Sequence, residues 1–419
     1  MLDECIVDLH IHSKFSRACS KNLVLPKIAE VAALKGINVI GTGDFTHPEW
    51  FKMMHNELEQ SAGGFYKVKN CQIYREVNFV PTAEIACIYS KGGKVRRLHI
   101  IIVAPTLEVV EKINNRLAEI GNLKADGRPI LGLDAKILLK IVLDISPDCL
   151  VIPAHAWTPW FSVFGSKSGF DSLEECFEEL TKYIPAIETG LSSDPPMNWR
   201  LSALDKVSLV SNSDAHSLDN LGREANVFKT GSGLSYSRLV NIIRQKEKNS
   251  FLYTIEFHPE EGKYHVDGHA PCGVRLMPDQ TVKYGGRCPK CQKLITVGVL
   301  SRVNDLADKK VPSSRVPYKY IVPLREIISE VVGVGKKSKA VDKVYRALIP
   351  SLGTEFELLI YTPISAIEDH GFKDLAVAID KMRRGDMVIL PGYDGVFGTV
   401  KIFKENETRK TKQESLFVE

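Results

Sequence analysis

The chain has 419 residues, and its apolar and charged fractions, 44% and 25%, are ordinary for a globular protein that builds a core in two or three domains. A net charge of +4 excludes a global electrostatic bias toward nucleic acid, so any such surface must be a local patch. The nine cysteines are odd in number, no secretory segment precedes Asp8, and the longest apolar runs fall short of the roughly 20 residues of a membrane span; the expectation is a reducing, cytoplasmic protein that meets no membrane and whose cysteines serve packing or metal binding.

The first predicted strand, Cys5 to Leu9, runs into Asp8-Leu-His10-Ile-His12-Ser13. Residues two apart in a strand point to one side, so His10 and His12 can reach a single metal ion. Asp8 shares their parity and is expected to bind the metal or hold an imidazole by its other nitrogen. Leu25 to Lys35 has helical apolar spacing and Gly36 ends it. A buried strand, Ile37 to Ile40, then delivers Gly41-Thr-Gly-Asp44-Phe45-Thr-His47.

The pattern recurs. Phe79 to Ile85 carries Glu84, and Arg97 to Ala104 carries His99. Cys149 to Ala154 ends on His155, Ile184 to Ile187 on Glu188, and Val207 to Val210 on Ser-Asn-Ser-Asp214-Ala-His216. Helices are predicted between them, at Leu107 to Ile120, Ala135 to Leu143, Leu173 to Leu180 and Tyr236 to Lys246. Strands alternating with helices imply an α/β fold with a mostly parallel sheet, and ligands collected at strand ends favour a (β/α) barrel with its active site on that face. The loop after Glu188 carries Asp194 before Pro195 and Pro196; a carboxylate on a restricted backbone suits metal ligation or acid–base work. Phe65, Tyr66, Trp157 and Trp160 are candidates to stack on a base.

Further on, His269-Ala-Pro-Cys272 and Cys288-Pro-Lys-Cys291 share one spacing and read as a Cys3His zinc ribbon with a closed, structural zinc, for which the nearby His265 and His258 are alternative histidine ligands. In the last third, helices are predicted around Leu324 to Val332 and Lys339 to Leu348, with strands near Phe356 to Tyr361 and Met387 to Leu390. Gly333-Val-Gly335 followed by Lys336, Lys337, Lys339, Lys343 and Arg346 reads as half of a helix-hairpin-helix, whose backbone amides and lysines meet DNA phosphates. The predicted units are a metal-dependent phosphoesterase barrel (1–250), a zinc-binding module (251–310), a mixed α/β DNA-binding domain (311–403) and a flexible tail (404–419) in which Gln413 to Phe417 partly resembles a sliding-clamp peptide.

Asp-Leu-His-Ile-His-Ser, Gly-Asp-Phe-Thr-His, the glutamate strand, Pro-Ala-His-Ala and Ser-Asp-Ala-His resemble the PHP (polymerase and histidinol phosphatase) superfamily over roughly residues 1–246. With the zinc ribbon and the basic last domain, the whole chain resembles the endonuclease Q family within it. The resemblance implies a distorted (β/α)7 barrel holding two or three divalent metals (Zn, Mn or Mg). His10 and His12 would hold the first with Asp214. Glu84 would bridge to a second, held by His99 and His155, and His216 would approach a third. Here this chain departs from the pattern, with Phe45 after the Asp of the second motif and Arg17, Ala18 and Cys19 downstream of the first histidines, so Asp44, His47 or Asp194 would supply ligands. Glu84, Asp194, Asp214 and His216 are the expected catalytic residues.

The implied activity is incision of DNA on the 5′ side of a deaminated base (uracil, hypoxanthine, xanthine) or an abasic site, leaving 3′-hydroxyl and 5′-phosphate ends. Two metals suit such an in-line displacement, and no Ser/Cys-His motif or Walker loop offers another route. The alternatives are a small-molecule phosphatase of the histidinol-phosphate type and a non-catalytic DNA-binding module.

Overall fold

The computed structural model describes residues 3–73, 75–231, 233–309 and 315–404. β1 (Glu4–Asp8) pairs in parallel with β2 (Val39–Gly41). The helix Leu25–Lys35 makes the crossover, burying Leu25, Ile28, Ala29, Ala32 and Ala33 as its period demands. β3 (Leu58–Gln60) and β4 (Tyr66–Val68) form an antiparallel edge that β5 (Asn78–Val80) joins to β2. Beyond Pro81 comes a long hairpin, β6 (Thr82–Lys91) and β7 (Lys94–Val103), flanked by β8 (Ile130–Leu131) and β9 (Leu150–Pro153). β10 (Ala186–Glu188) and β11 (Ser208–Val210) are a parallel pair. β12 (Ala225–Lys229) and β13 (Phe251–Glu256) continue the first sheet on the far side of β1.

The fold is mixed α/β, but the sheets are not mostly parallel as the sequence predicts. The cause is local. Gly92 and Gly93, at φ 62° and 71°, close a two-residue turn between Lys91 and Lys94, and such a turn can only join antiparallel strands. It sets Ala86 opposite His99, two positions from Glu84, so the hairpin itself carries two site residues side by side.

Strand alternation sorts the core into two layers. Ile6, Ile40, Ile100 and Ile102 face one cluster with the helices, while Val7, Val39, Ile101, Val103, Leu150 and Val210 face another between the sheets. The second layer closes beneath the strand ends where the polar residues gather.

The rest of the chain is stitched to this frame. β14 (Asp267–His269) and β15 (Val274–Leu276) make a small hairpin, and β16 (Tyr318–Tyr320) adds in parallel to β13. Helices Leu324–Val332, Lys339–Leu352, Glu355–Ile360, Ile364–Asp369 and Lys373–Arg384 follow, then the hairpin of β17 (Val388–Leu390) and β18 (Thr399–Lys401). The strand predicted at Phe356 to Tyr361 is therefore a helix. A capping box decides it: Thr354 Oγ1 accepts from the Glu357 amide at 3.3 Å, and Glu357 accepts from the Thr354 amide at 2.8 Å. The helix expected over Leu173 to Leu180 breaks after Phe177 into a 3-10 turn. Among the described residues no helix is long and apolar enough to cross a membrane. Residues 405–419, with the tail and its clamp-like Gln413 to Phe417, lie outside the described residues.

Candidate metal centre

Two groups of donors lie at the strand ends. The ligand atoms of His10, His12, Glu84 and Asp214 all fall within 4.8 Å of one another, as do those of Glu84, His99 and His155. Glu84 belongs to both. Its Oε1 lies 2.7 Å from His99 Nδ1 and 3.1 Å from His155 Nε2, while its Oε2 lies 3.3 Å from His12 Nε2 and 3.5 Å from His10 Nε2.

β1 stops at Asp8, and the histidines beyond it keep their common side because Ile11 bridges to Ala215, which brings Asp214 against them. The His12 Nε2 to Asp214 Oδ1 distance is 3.1 Å. Asp44, Asp214 and His155 all hold positive φ, at 49°, 44° and 27°, which side chains adopt only where surroundings impose it. Strain of this kind marks the loop positions that aim the carboxylates and the imidazole inward.

The outer contacts fix each ring. Glu188 takes His10 Nδ1 at 3.1 Å on both oxygens, and also accepts from the His155 amide at 2.8 Å and the Asn212 side chain at 2.9 Å. Asp44 takes His12 Nδ1 at 2.9 Å together with Ser13 and Ser16. Each histidine thus turns its other nitrogen toward the shared glutamate. His10 Nε2 is buried and has no hydrogen-bond partner among the described residues. A buried nitrogen left unpaired beside two carboxylates fits a divalent metal, as does the mixed imidazole and carboxylate donor set.

The buried charges act strongly on one another. Burial opposes the charge of Glu84, but His99, Arg128 and His10 outweigh it and hold the carboxyl well below its ordinary range. Burial likewise opposes protonation of His10, and Glu188 and Glu84 overcome it. His99, where burial dominates, is pulled down to about 4.

Not every expected residue is here. Asp8 touches no imidazole; it accepts from the amides of Ser213 and Gly222 and from the Ser213 hydroxyl, and so anchors the segment that carries Asp214. Asp44 stands outside both groups because His12 and the serines occupy its oxygens. Asp194 is also outside them. It caps the short helix Pro195–Asn198 through the Met197 amide at 2.8 Å and receives the Tyr320 hydroxyl at 2.5 Å. His216 stands at the rim, its ring 4.6 Å from that of His12, with Nδ1 donating to the Asp214 carbonyl at 2.9 Å. Phe65, Tyr66 and Trp157 are buried in the core, and of the four aromatic candidates only Trp160 is exposed. Two residues escaped the sequence reading. Glu188 had the same strand-end signal as the rest but no assigned task. Arg128, whose Nη1 donates to Glu84 at 2.9 Å, sits in Asp126-Gly-Arg-Pro129, which reads only as a turn.

A separate group joins His269, Cys272, Cys288 and Cys291, again within 4.8 Å. Among the described residues, Cys288 of this group forms a small buried cluster with Val274, Leu276 and Ile295. The predicted phosphate-binding turn lies between two helices: Gly333 caps Leu324–Val332 and Ser338 caps Lys339–Leu352. Lys336, Lys337, Lys339, Lys343 and Arg346 are exposed there, although Lys336 pairs with Glu326 at 2.7 Å and Arg346 with Asp342 at 2.8 Å.

The chain superposes with a TM-score of 0.84 on the crystal structure of the lesion-specific endonuclease PfuEndoQ from Pyrococcus furiosus, at 31% identity, covering 99% of this chain and 98% of that one. It superposes with a TM-score of 0.83 on endonuclease Q in complex with a 27-mer duplex substrate with an abasic lesion at the active site, at 33% identity and with 99% and 100% coverage. The chain belongs to the endonuclease Q family. Across its length it is also 30% identical to the uncharacterised protein YqxK of Bacillus subtilis, covering 94% of this chain and 98% of the relative. MJ0043 of Methanocaldococcus jannaschii, another uncharacterised protein, is 33% identical over 265 residues, and the matched part spans 33% of its length. The family model for the MJ0043 C-terminal domain matches residues 323–386, so in this endonuclease Q relative that domain contains the Gly-Val-Gly turn.

Proposed function

We propose that this protein is a metal-dependent DNA repair endonuclease that cuts the phosphodiester 5′ to a deaminated base or an abasic site, leaving 3′-hydroxyl and 5′-phosphate ends. What carries the reading is the shared Glu84 between two donor groups, on a chain that matches endonuclease Q end to end. A distorted (β/α)7 barrel supports the site, built from β1, β2, β6, β7, β9, β10 and β11. In its favour, Ala156 donates to Glu188 between β9 and β10, and His12 to Ala215 between β11 and β1.

His10, His12 and Asp214 would hold one divalent metal and His99 and His155 another, with Glu84 shared between the two groups; Zn, Mn or Mg would suit these donors. When bound, such a pair activates water and stabilises the departing oxygen of an in-line displacement. Glu188 and Asp44 keep the imidazoles aimed. His216, partly exposed and held by Nδ1 on the Asp214 carbonyl, keeps Nε2 to exchange a proton with substrate or to bind a third ion. His269, Cys272, Cys288 and Cys291 close around a structural zinc, which a module with only Val274, Leu276 and Ile295 buried beside Cys288 needs in order to hold its shape. The exposed lysines at 336–343 meet phosphates of DNA. The units are the barrel to about residue 250, the zinc module to 310, and a DNA-binding part to 403.

End-labelled duplexes carrying one deoxyuridine, deoxyinosine or abasic site test this. Incision on the 5′ side of the lesion is expected, abolished by chelator and restored by a divalent metal. Hydrolysis of a small phosphomonoester with no incision of any duplex would overturn it.

A further inference from the structure

Arg128 is the one guanidinium that reaches the shared carboxylate among the described residues, and it arrives on an unusually well-fixed backbone. The Arg128 amide donates to Asp126 Oδ1 at 3.1 Å, and Asp126 also accepts the Arg17 amide at 3.3 Å. The Gly127 amide donates to the Phe15 carbonyl at 3.0 Å, and Thr46 donates to the Gly127 carbonyl at 3.3 Å. Gly127 packs so close that a Cβ there would stand 2.3 Å from Asp44 Oδ2 and 2.4 Å from Ser16 Oγ. Pro129 then accepts the Ala86 amide on the glutamate strand at 3.0 Å. The segment is clamped between the loop that carries His12 and the strand that carries Glu84.

The side chain uses little of what it offers. A guanidinium has five N–H donors in a planar fork. Here one is described as bonded, Nη1 to Glu84 at 2.9 Å, and the side chain remains 26% exposed while Glu84 is sealed. No other hydrogen bond of this side chain is described, and its partial exposure leaves room for a further acceptor beside Glu84. A phosphodiester arriving at the two donor groups would meet this fork edge with a non-bridging oxygen.

Resting on the nuclease reading of the site, we infer that Arg128 is a catalytic residue that donates to a non-bridging oxygen of the scissile phosphate while it holds Glu84. In the reaction a water oxygen bonds to phosphorus as the bond to the 3′ oxygen breaks; the water loses one proton and the 3′ oxygen takes one. Charge gathers meanwhile on the non-bridging oxygens. A fixed cation there strengthens its contact in the transition state and needs no reorganisation. A lysine could keep the charge but not both contacts.

The test uses the full-length protein and an abasic duplex with a phosphorothioate at the scissile bond, the two diastereomers separated. Arg128→Ala is expected to lower kcat by about 10²–10³-fold at unchanged metal content, the cost typical of losing one such donor. Sulfur accepts hydrogen bonds poorly, so one diastereomer should slow the wild type more than Arg128→Ala, and the other should slow both alike. Arg128→Lys, which retains the charge should the alanine variant unfold, is expected to fall between them with a reduced thio penalty. Full thio penalties in both variants, or recovery of the alanine variant by excess metal, would show that Arg128 merely positions Glu84 and would overturn the inference. A wild type that cuts no duplex would overturn the nuclease reading itself, whereas an active wild type matched by Arg128→Ala would overturn this inference alone.

Discussion

Glu188 grips His10 Nδ1 with both carboxylate oxygens, at 3.1 Å each, and the same two oxygens accept from Asn212 and from the His155 amide. One buried carboxylate therefore orients a histidine of the first donor group and fixes the backbone of one in the second.

Glu188→Ala should weaken metal binding by about 10–100-fold, the usual cost of losing such a supporting partner. The check is activity as a function of added metal. A lower plateau with an unmoved half-saturation point would instead make Glu188 part of the chemistry.

Cys288→Ser should lower both zinc content and melting temperature, because four ligands close the coordination sphere and, besides Cys288 itself, the buried cluster there has only Val274, Leu276 and Ile295. Metal analysis with thermal unfolding checks this. Unchanged zinc content would refute the structural site.

Lys336→Ala with Lys337→Ala should weaken binding to damaged and undamaged duplex about equally, because phosphate contacts position and do not specify. Lys336 is already paired with Glu326, so the slope of log affinity against log salt should flatten by roughly one unit, not two. An unmoved slope would place the DNA surface elsewhere.

Burial, with Asp194 adding to it and Thr254, Thr189 and Ser211 opposing, pushes the Glu256 carboxyl from its ordinary 4.5 up to about 8. Its folded-state pKa is raised, so its stabilising contribution is complete below about 4.5 and is lost as the pH rises through about 8. Glu256→Gln cannot ionise. Its melting temperature relative to wild type should therefore rise between pH 5 and pH 8.5. A constant difference would mean that Glu256 titrates normally.

The strand-end histidines, Glu84 and Asp214 were legible because they sit at fixed offsets from apolar runs whose period gives their side. Asp8 and Asp44 show what that logic leaves out. Both have the right place, but their partners, Ser213 and His12, come from other parts of the chain and decide what their oxygens do. Gly92-Gly93 is a hairpin signal that the alternation of strands and helices masks, and the antiparallel pairs of β1 with β12 and β12 with β13 leave no such local mark. The helix at Glu355–Ile360 hid behind an apolar run that reads as a strand; its Thr-x-x-Glu start was the better signal. Arg128 left no trace, since nothing in Asp-Gly-Arg-Pro says which carboxylate a guanidinium will meet.

The central claim is that lesion incision runs on the metal site held by Glu84 and Asp214. Asp214→Asn keeps the size and hydrogen-bonding reach of the side chain but removes the charge that faces His10 and His12. Its rate of incision and its affinity should be measured on one abasic duplex beside the wild type. The account predicts incision abolished with DNA affinity near that of the wild type. Incision at the wild-type rate would contradict it.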